Sequence, residues 1–184
     1  MKILGICGSL RRQSLNRHAL MAAAALMPAG MSLEVAEIGD LPLYNQDIEM
    51  AGMPASVTRL GSQIAQADGV LMASPEYNFS VTAALKNAID WTSRIKPQQP
   101  WKDKPVAIFS ATGGPVGGAR NQYELRKVLG CLEALVMMRP EVFIGLADGK
   151  FDAQGQLVDA ASRQVLGAQI AAFEVWVRRM AVRA

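Results

Sequence analysis

The feature that most constrains this chain is an alternation. Apolar runs of strand length fall at residues 2–7, 32–37, 69–74, 105–111 and 141–145. Segments of helical periodicity lie between and after them, at about 15–27, 54–66, 81–94, 119–134 and 159–181. In the last, Leu166, Ile170, Phe173 and Val177 recur at spacings of three and four, the stripe of a helix laid on a sheet. Strands that alternate strictly with helices need crossover connections, and crossovers give a parallel sheet.

At 184 residues the expectation is one domain over 1–184. The predicted fold class is α/β: a flavodoxin-like three-layer sandwich with a five-stranded parallel sheet in the order 2-1-3-4-5. Right-handed crossovers put helices on both faces. Such sheets bind ligands beyond the carboxyl ends of their strands, where the strand order reverses. Here that point lies between the first and third strands. Three loops converge on it, reading GSLRRQS, PEYNFS and ATGGPVGG at 8–14, 75–80 and 111–118. They are the loops richest in turn-forming or polar groups.

Composition removes several functions. Hydrophobic residues make up 51% and charged residues 19%, an ordinary globular balance. The net charge of +3 comes from scattered basic residues, with Arg178, Arg179 and Arg183 near the end of the chain. That pattern argues against nucleic acid and suits a small anionic ligand. One histidine and two cysteines without a CxxC pair supply no metal site. Cys7 and Cys131 read as reduced thiols and His18 as a packing or solvent-facing residue of the first helix. No run approaches the roughly 18 apolar residues of a membrane span, and the start does not read as a secretory signal, so a cytoplasmic protein is expected. Segment 148–159, DGKFDAQGQLVD, lacks the spacing of a calcium loop and reads as a turn before the last helix.

The first loop continues as GSLRRQSLN. Gly8 allows a sharp turn. Ser14 or Asn16 can cap the helix that follows, whose free amides attract an anion. Ser9 adds a hydroxyl, and Arg11 can grip phosphate with two prongs. These residues read either as a phosphate cradle or as a capped turn with solvated arginines. Neither GxxxxGK[ST] nor GxGxxG is present. In the second loop, Tyr77 offers a flat face to a planar ring and Asn78 offers hydrogen bonds, with Pro75 and Glu76 beside them. In the third, four glycines permit close backbone approach, and Ser110 and Thr112 add hydroxyls. A cradle, an aromatic loop and a glycine loop around one crevice suit flavin mononucleotide, FMN.

These stretches carry a resemblance. GSLRRQSLN, SPEYNFSVTAALKNAIDW, GGARNQYELR, LPLYNQDIE and KPVAIFSATGG together are similar to the NADPH-dependent FMN reductases, and among them to the bacterial quinone reductases also called chromate reductases. The likeness runs in order along nearly the whole chain. It implies non-covalent FMN and NADPH or NADH as hydride donor. It implies small acceptors such as quinones, free flavin, azo dyes or chromate. By position, Ser9, Arg11, Ser14, Leu15 and Asn16 would hold the FMN phosphate. Pro75, Glu76, Tyr77 and Asn78 would line the isoalloxazine, and Ser110, Thr112 and Gly113 would close its other edge. No residue is expected as a catalytic acid or base. Hydride would pass through flavin N5, donor and acceptor taking turns at one face in ping-pong order. A dimer or tetramer is implied, with Arg120, Tyr123 and Glu141 as possible contacts. Two alternatives stand beside the enzyme: a flavodoxin-type electron carrier, against which the mildly basic charge argues, and a flavin-loaded regulatory module.

Overall fold

A computed structural model describes residues 1–181. Arg183, counted above among the terminal basic residues, lies outside the described residues. The central strands are β1 (Lys2–Cys7), β2 (Ser32–Ala36), β3 (Gly69–Ala73) and, after the short hairpin strands β4 (Glu76–Tyr77) and β5 (Ser80–Val81), β6 (Pro105–Ala111). Two short strands complete the edge, β7 (Leu135–Val136) and β8 (Val142–Ile144). The main sheet is wholly parallel, in the order β2-β1-β3-β6-β7, with β8 also on β6.

The expected order of five is therefore refined at its last position. One strand was predicted at 141–145; the structure divides that edge into two pieces. β7 pairs with the start of β6 and β8 with its end. Pro140 lies between them, and proline has no amide to donate to a ladder.

The helices are α1 (Leu15–Ala25), α2 (Gln46–Ala51), α3 (Ala55–Gln66), α4 (Ala83–Thr92), α5 (Ala119–Cys131) and α6 (Ala160–Ala181). Side chains alternate across the pleat of β1 and divide the core in two. Leu4 and Ile6 face a cluster with Leu60 and Ile64 of α3, Leu85 and Ile89 of α4, and Leu125 and Leu129 of α5. Ile3 and Cys7 face the opposite cluster, with Leu20 of α1 and the full α6 stripe of Leu166, Ile170, Phe173 and Val177. Each fully buried aliphatic side chain contributes about 1.5–3 kcal/mol. The α6 stripe packs so closely that a Cβ on Gly69 would stand 2.9 Å from Phe173.

Segment 148–159 forms a turn, as expected. Phe151 bridges Leu157, and Asp152 Oδ1 accepts from the amides of Gln154 and Gln156. The His18 ring lies 5.8 Å from that of Phe151, so His18 packs against this turn. Among the described residues no helix is long and apolar enough to cross a membrane.

Candidate active site

The three loops do meet, at the carboxyl ends of β1, β3 and β6. A small cleft of about 150 Å³ lies between them, and Ser9, Arg11, Ser14, Leu15, Asn16, Pro75, Glu76, Tyr77, Thr112 and Gly113 reach it. Four buried polar side chains, Thr82, Asn16, Asn121 and Ser74, brace the loops against one another. Thr82 Oγ1 donates to the Gly8 carbonyl at 2.7 Å. Asn16 Nδ2 donates to the Ala111 carbonyl at 2.7 Å, and the Ala111 amide returns a bond to Asn16 Oδ1 at 3.0 Å. Asn121 Nδ2 donates to the Ser74 carbonyl at 2.7 Å, and Ser74 Oγ donates to Asn121 Oδ1 at 2.7 Å.

At one end of the cleft, α1 begins. Ser14 is its cap, accepting from the Arg17 amide at 3.2 Å, while the His18 amide donates to the Ser14 carbonyl. The first amides of a helix have no partner within it, which leaves those of Leu15 and Asn16 pointing out of the helix start. The helix dipole adds about 0.3–1 kcal/mol for an anion there. Arg11 lines the cleft, and its amide donates to Ser9 Oγ at 3.4 Å. Two amides, two hydroxyls and an arginine form a donor set with the chemistry that a phosphate monoester requires. Beneath them Cys7 Sγ lies 3.6 Å from the Ser9 carbonyl and 3.8 Å from Ser14 Oγ. Burial pushes the Cys7 thiol up, and the hydrogen bonds to Ser9 and Ser14 and the charge of Arg17 pull the other way.

At the other end stands Tyr77, half exposed, paired with Ser80 next to the turn of the β4–β5 hairpin. Pro75 is buried against Gly8. Glu76 faces inward, its carboxylate paired with Arg120 and accepting from the Asn121 amide at 3.2 Å. One carboxylate thus fastens the hairpin to the start of α5.

Three expected roles change. The Asn16 carboxamide is spent on Ala111, which leaves only its backbone amide for a ligand. Ser110 is fully buried and does not reach the cleft; its hydroxyl donates to the Gly117 carbonyl and accepts from Gln122 Nε2. Asn78 sits at the exposed hairpin tip, outside the cleft. Asn78 and Phe79 both have positive φ, 51° and 67°, the mirror-image turn that suits a two-residue hairpin. The Phe79 ring lies under the Arg120 guanidinium, 3.7 Å from its centroid, an attraction of about 0.5–1 kcal/mol that offsets part of the backbone strain.

The glycine loop also serves a different end from the one expected. A Cβ on Gly117 would strike the backbone of Phe143, and one on Gly118 would strike Ser110. These glycines admit the loop to its own chain, not to a ligand. The Leu146 amide donates to the Gly114 carbonyl and that of Ala147 to the Thr112 carbonyl, binding the loop to the segment after β8. That contact brings the Asp148 carboxylate over Gly113, a neighbour of the cleft that sequence spacing did not suggest. Thr82 and Asn121 were missed as well, because a bracing side chain looks like any helix-start polar residue.

A doubly wound sheet with a phosphate-type donor set and an aromatic wall at its switch point defines a class: flavodoxin-like flavin proteins. The comparisons narrow it. Residues 1–149 match the family model of NADPH-dependent FMN reductases, and the chain belongs to that family. It is an oxidoreductase that works with FMN and NAD(P)H. An NAD(P)H-dependent FMN reductase of Pseudomonas aeruginosa is 48% identical over 98% of this chain and 97% of its own length. A quinone reductase of Escherichia coli K12 is 41% identical over 99% and 98%. The structure of the flavoenzyme NAD(P)H:(acceptor) oxidoreductase FerB from Paracoccus denitrificans superposes with a TM-score of 0.90 at 34% identity, covering 97% of this chain and 98% of that one.

Proposed function

We propose that this chain, as one FMN-binding domain, reduces quinones and other small acceptors at the expense of NAD(P)H. The observation that carries the proposal is the polarity of the cleft: anion donors at the α1 end and an aromatic wall at the hairpin end. The quinone-reductase names of the relatives support the acceptor class. FMN held in this cleft would supply the redox chemistry, as an acceptor of hydride through N5 and a donor of electrons to the second substrate.

The residues do the rest by holding and orienting. Arg11, the hydroxyls of Ser9 and Ser14, and the amides of Leu15 and Asn16 take the phosphate. Pro75, Glu76 and Tyr77 shape the ring's wall, with Asn78 at the hairpin tip beyond it, and Thr112 and Gly113 face them across the cleft. Backbone donors fixed before the reaction cost no reorganisation when negative charge builds on the ring. No side chain in the cleft need act as acid or base. The same reduced cofactor would serve chromate, azo dyes or free flavin as incidental acceptors.

Assembly as a homodimer or homotetramer belongs to this reading, as does a cytoplasmic setting that keeps Cys7 and Cys131 reduced. Tyr123 is exposed, whereas the Glu141 side chain is largely covered, with its carboxylate 2.8 Å from exposed Arg139. Arg120 is engaged within its own chain and would have to share that engagement. Initial-rate kinetics with NADPH and a benzoquinone test the mechanism. Parallel double-reciprocal lines are expected; intersecting lines would contradict alternating occupancy of one face.

A further inference from the structure

The loop that borders the cleft has a second side. Ser9 and Arg11 also line a separate cavity of about 460 Å³, between the β1–α1 loop and the chain leaving β2. Arg11, Arg12 and Arg17 all reach it. Among the described residues, none of the three guanidinium groups forms an ion pair or hydrogen bond. Other arginines of the chain are spent: Arg59 on Asp40, Arg120 on Glu76 and Arg178 on Glu174. With Arg11 given to the FMN phosphate, Arg12 and Arg17 remain as two unpartnered cations facing a single carboxylate, Glu37, one oxygen of which already accepts from the Gly39 amide at 3.0 Å. Leu10, 59% exposed, hangs beside Gly39 and gives the cavity an apolar wall.

We infer that this cavity holds the adenosine 2′-phosphate end of the hydride donor, and that Arg12 and Arg17 set the preference for NADPH over NADH. The inference rests on the function proposed above, since it names a second subsite for the same donor. In doubly wound folds that bind a dinucleotide on the first helix, an acid beside the ribose favours the 2′-hydroxyl and an arginine accommodates the 2′-phosphate; here the first helix start is given to FMN, and the same charge logic applies to the cavity beside it. Here the acid is present but outnumbered. Guanidinium groups match phosphate oxygens in pairs, and a terminal phosphate carries close to two negative charges at neutral pH. Leu10 offers a surface for the adenine. The shared wall of Ser9 and Arg11 lets one dinucleotide reach from this cavity to the open side of the flavin cleft.

The test uses the FMN-loaded protein and the Arg12→Gln/Arg17→Gln double variant. Both side chains are exposed and, among the described residues, form no hydrogen bond or ion pair, so an unchanged melting temperature is expected. Calorimetric titration with adenosine 2′,5′-bisphosphate and with AMP reads the subsite directly. The bisphosphate should bind at least tenfold more tightly than AMP to the wild type, and the difference should vanish in the variant. In turnover, kcat/KM for NADPH should fall tenfold or more while that for NADH stays within twofold. Equal binding of the two nucleotides, a preference that survives in the variant, or inorganic phosphate binding as tightly as the bisphosphate would overturn the inference. Loss of FMN binding would instead count against the function proposed above, and the bisphosphate titration would still decide this one.

Discussion

The Asn16 carboxamide grips the backbone of Ala111 from both sides, Nδ2 on the carbonyl at 2.7 Å and Oδ1 on the amide at 3.0 Å. The pair spans the site, joining the first turn of α1 to the last residue of β6. Asn16→Ala leaves a buried donor and a buried acceptor without partners. Each such group costs about 1–3 kcal/mol. Urea unfolding of the apoprotein should show the loss with no flavin present, and a variant as stable as the wild type would refute the bracing role.

Glu76 and Arg120 form the second brace, from hairpin to α5. Glu76 is largely buried while Arg120 is half exposed, which reduces the cost of separating them. Arg120→Ala should destabilise by about 1–3 kcal/mol and weaken FMN retention, because the hairpin carrying Tyr77 loses its fastening. A double-mutant cycle with Glu76→Gln should give a coupling near 1 kcal/mol. Additive effects would mean that the two side chains act separately.

Gly118 opens α5 with φ of +81°, and a Cβ there would lie 2.8 Å from Ser110 Cβ. Gly118→Ala combines a left-handed backbone cost with overpacking, together about 2–4 kcal/mol. Thermal unfolding should report it. A neutral substitution would show that the loop can shift away from β6.

The two thiols should differ sharply in reactivity. Cys131 is exposed, whereas Cys7 is buried and its thiol is held protonated by that burial. A thiol reagent at neutral pH should modify one cysteine in the native protein and the second only after denaturation. Equal rates would mean that the floor beneath Ser9 and Ser14 is open to solvent.

Much of this was written plainly in the sequence. The four long strands and five long helices announce themselves, because β1, β3 and β6 bury nearly continuous runs, β2 alternates apolar with polar residues, and each long helix buries a stripe. The elements that escaped are those that bury little. α2 has no buried residue, and β7 is two half-buried residues long. The β4–β5 hairpin turns on Asn78-Phe79 rather than on a glycine pair, so its turn chemistry is concealed. LPLYNQDIE is legible only in space: Pro42 accepts from both Asn87 and Trp91 of α4, while the Tyr44 amide donates to Asn87 Oδ1. The site followed the same rule. Loop positions could be read from topology, but which polar groups face a ligand and which brace the fold depends on contacts across 47 to 95 residues of chain, as with Asn121 on Ser74 and Asn16 on Ala111.

The central claim is that the cleft between these loops holds FMN and that NAD(P)H reduces it there. The most direct measurement is the visible spectrum of protein incubated with FMN and freed of excess, followed by NADPH without oxygen and then a quinone. The account predicts a retained flavin band that bleaches with NADPH and returns with the quinone. A protein that retains no flavin, or a retained band that NADPH leaves unchanged, would contradict it.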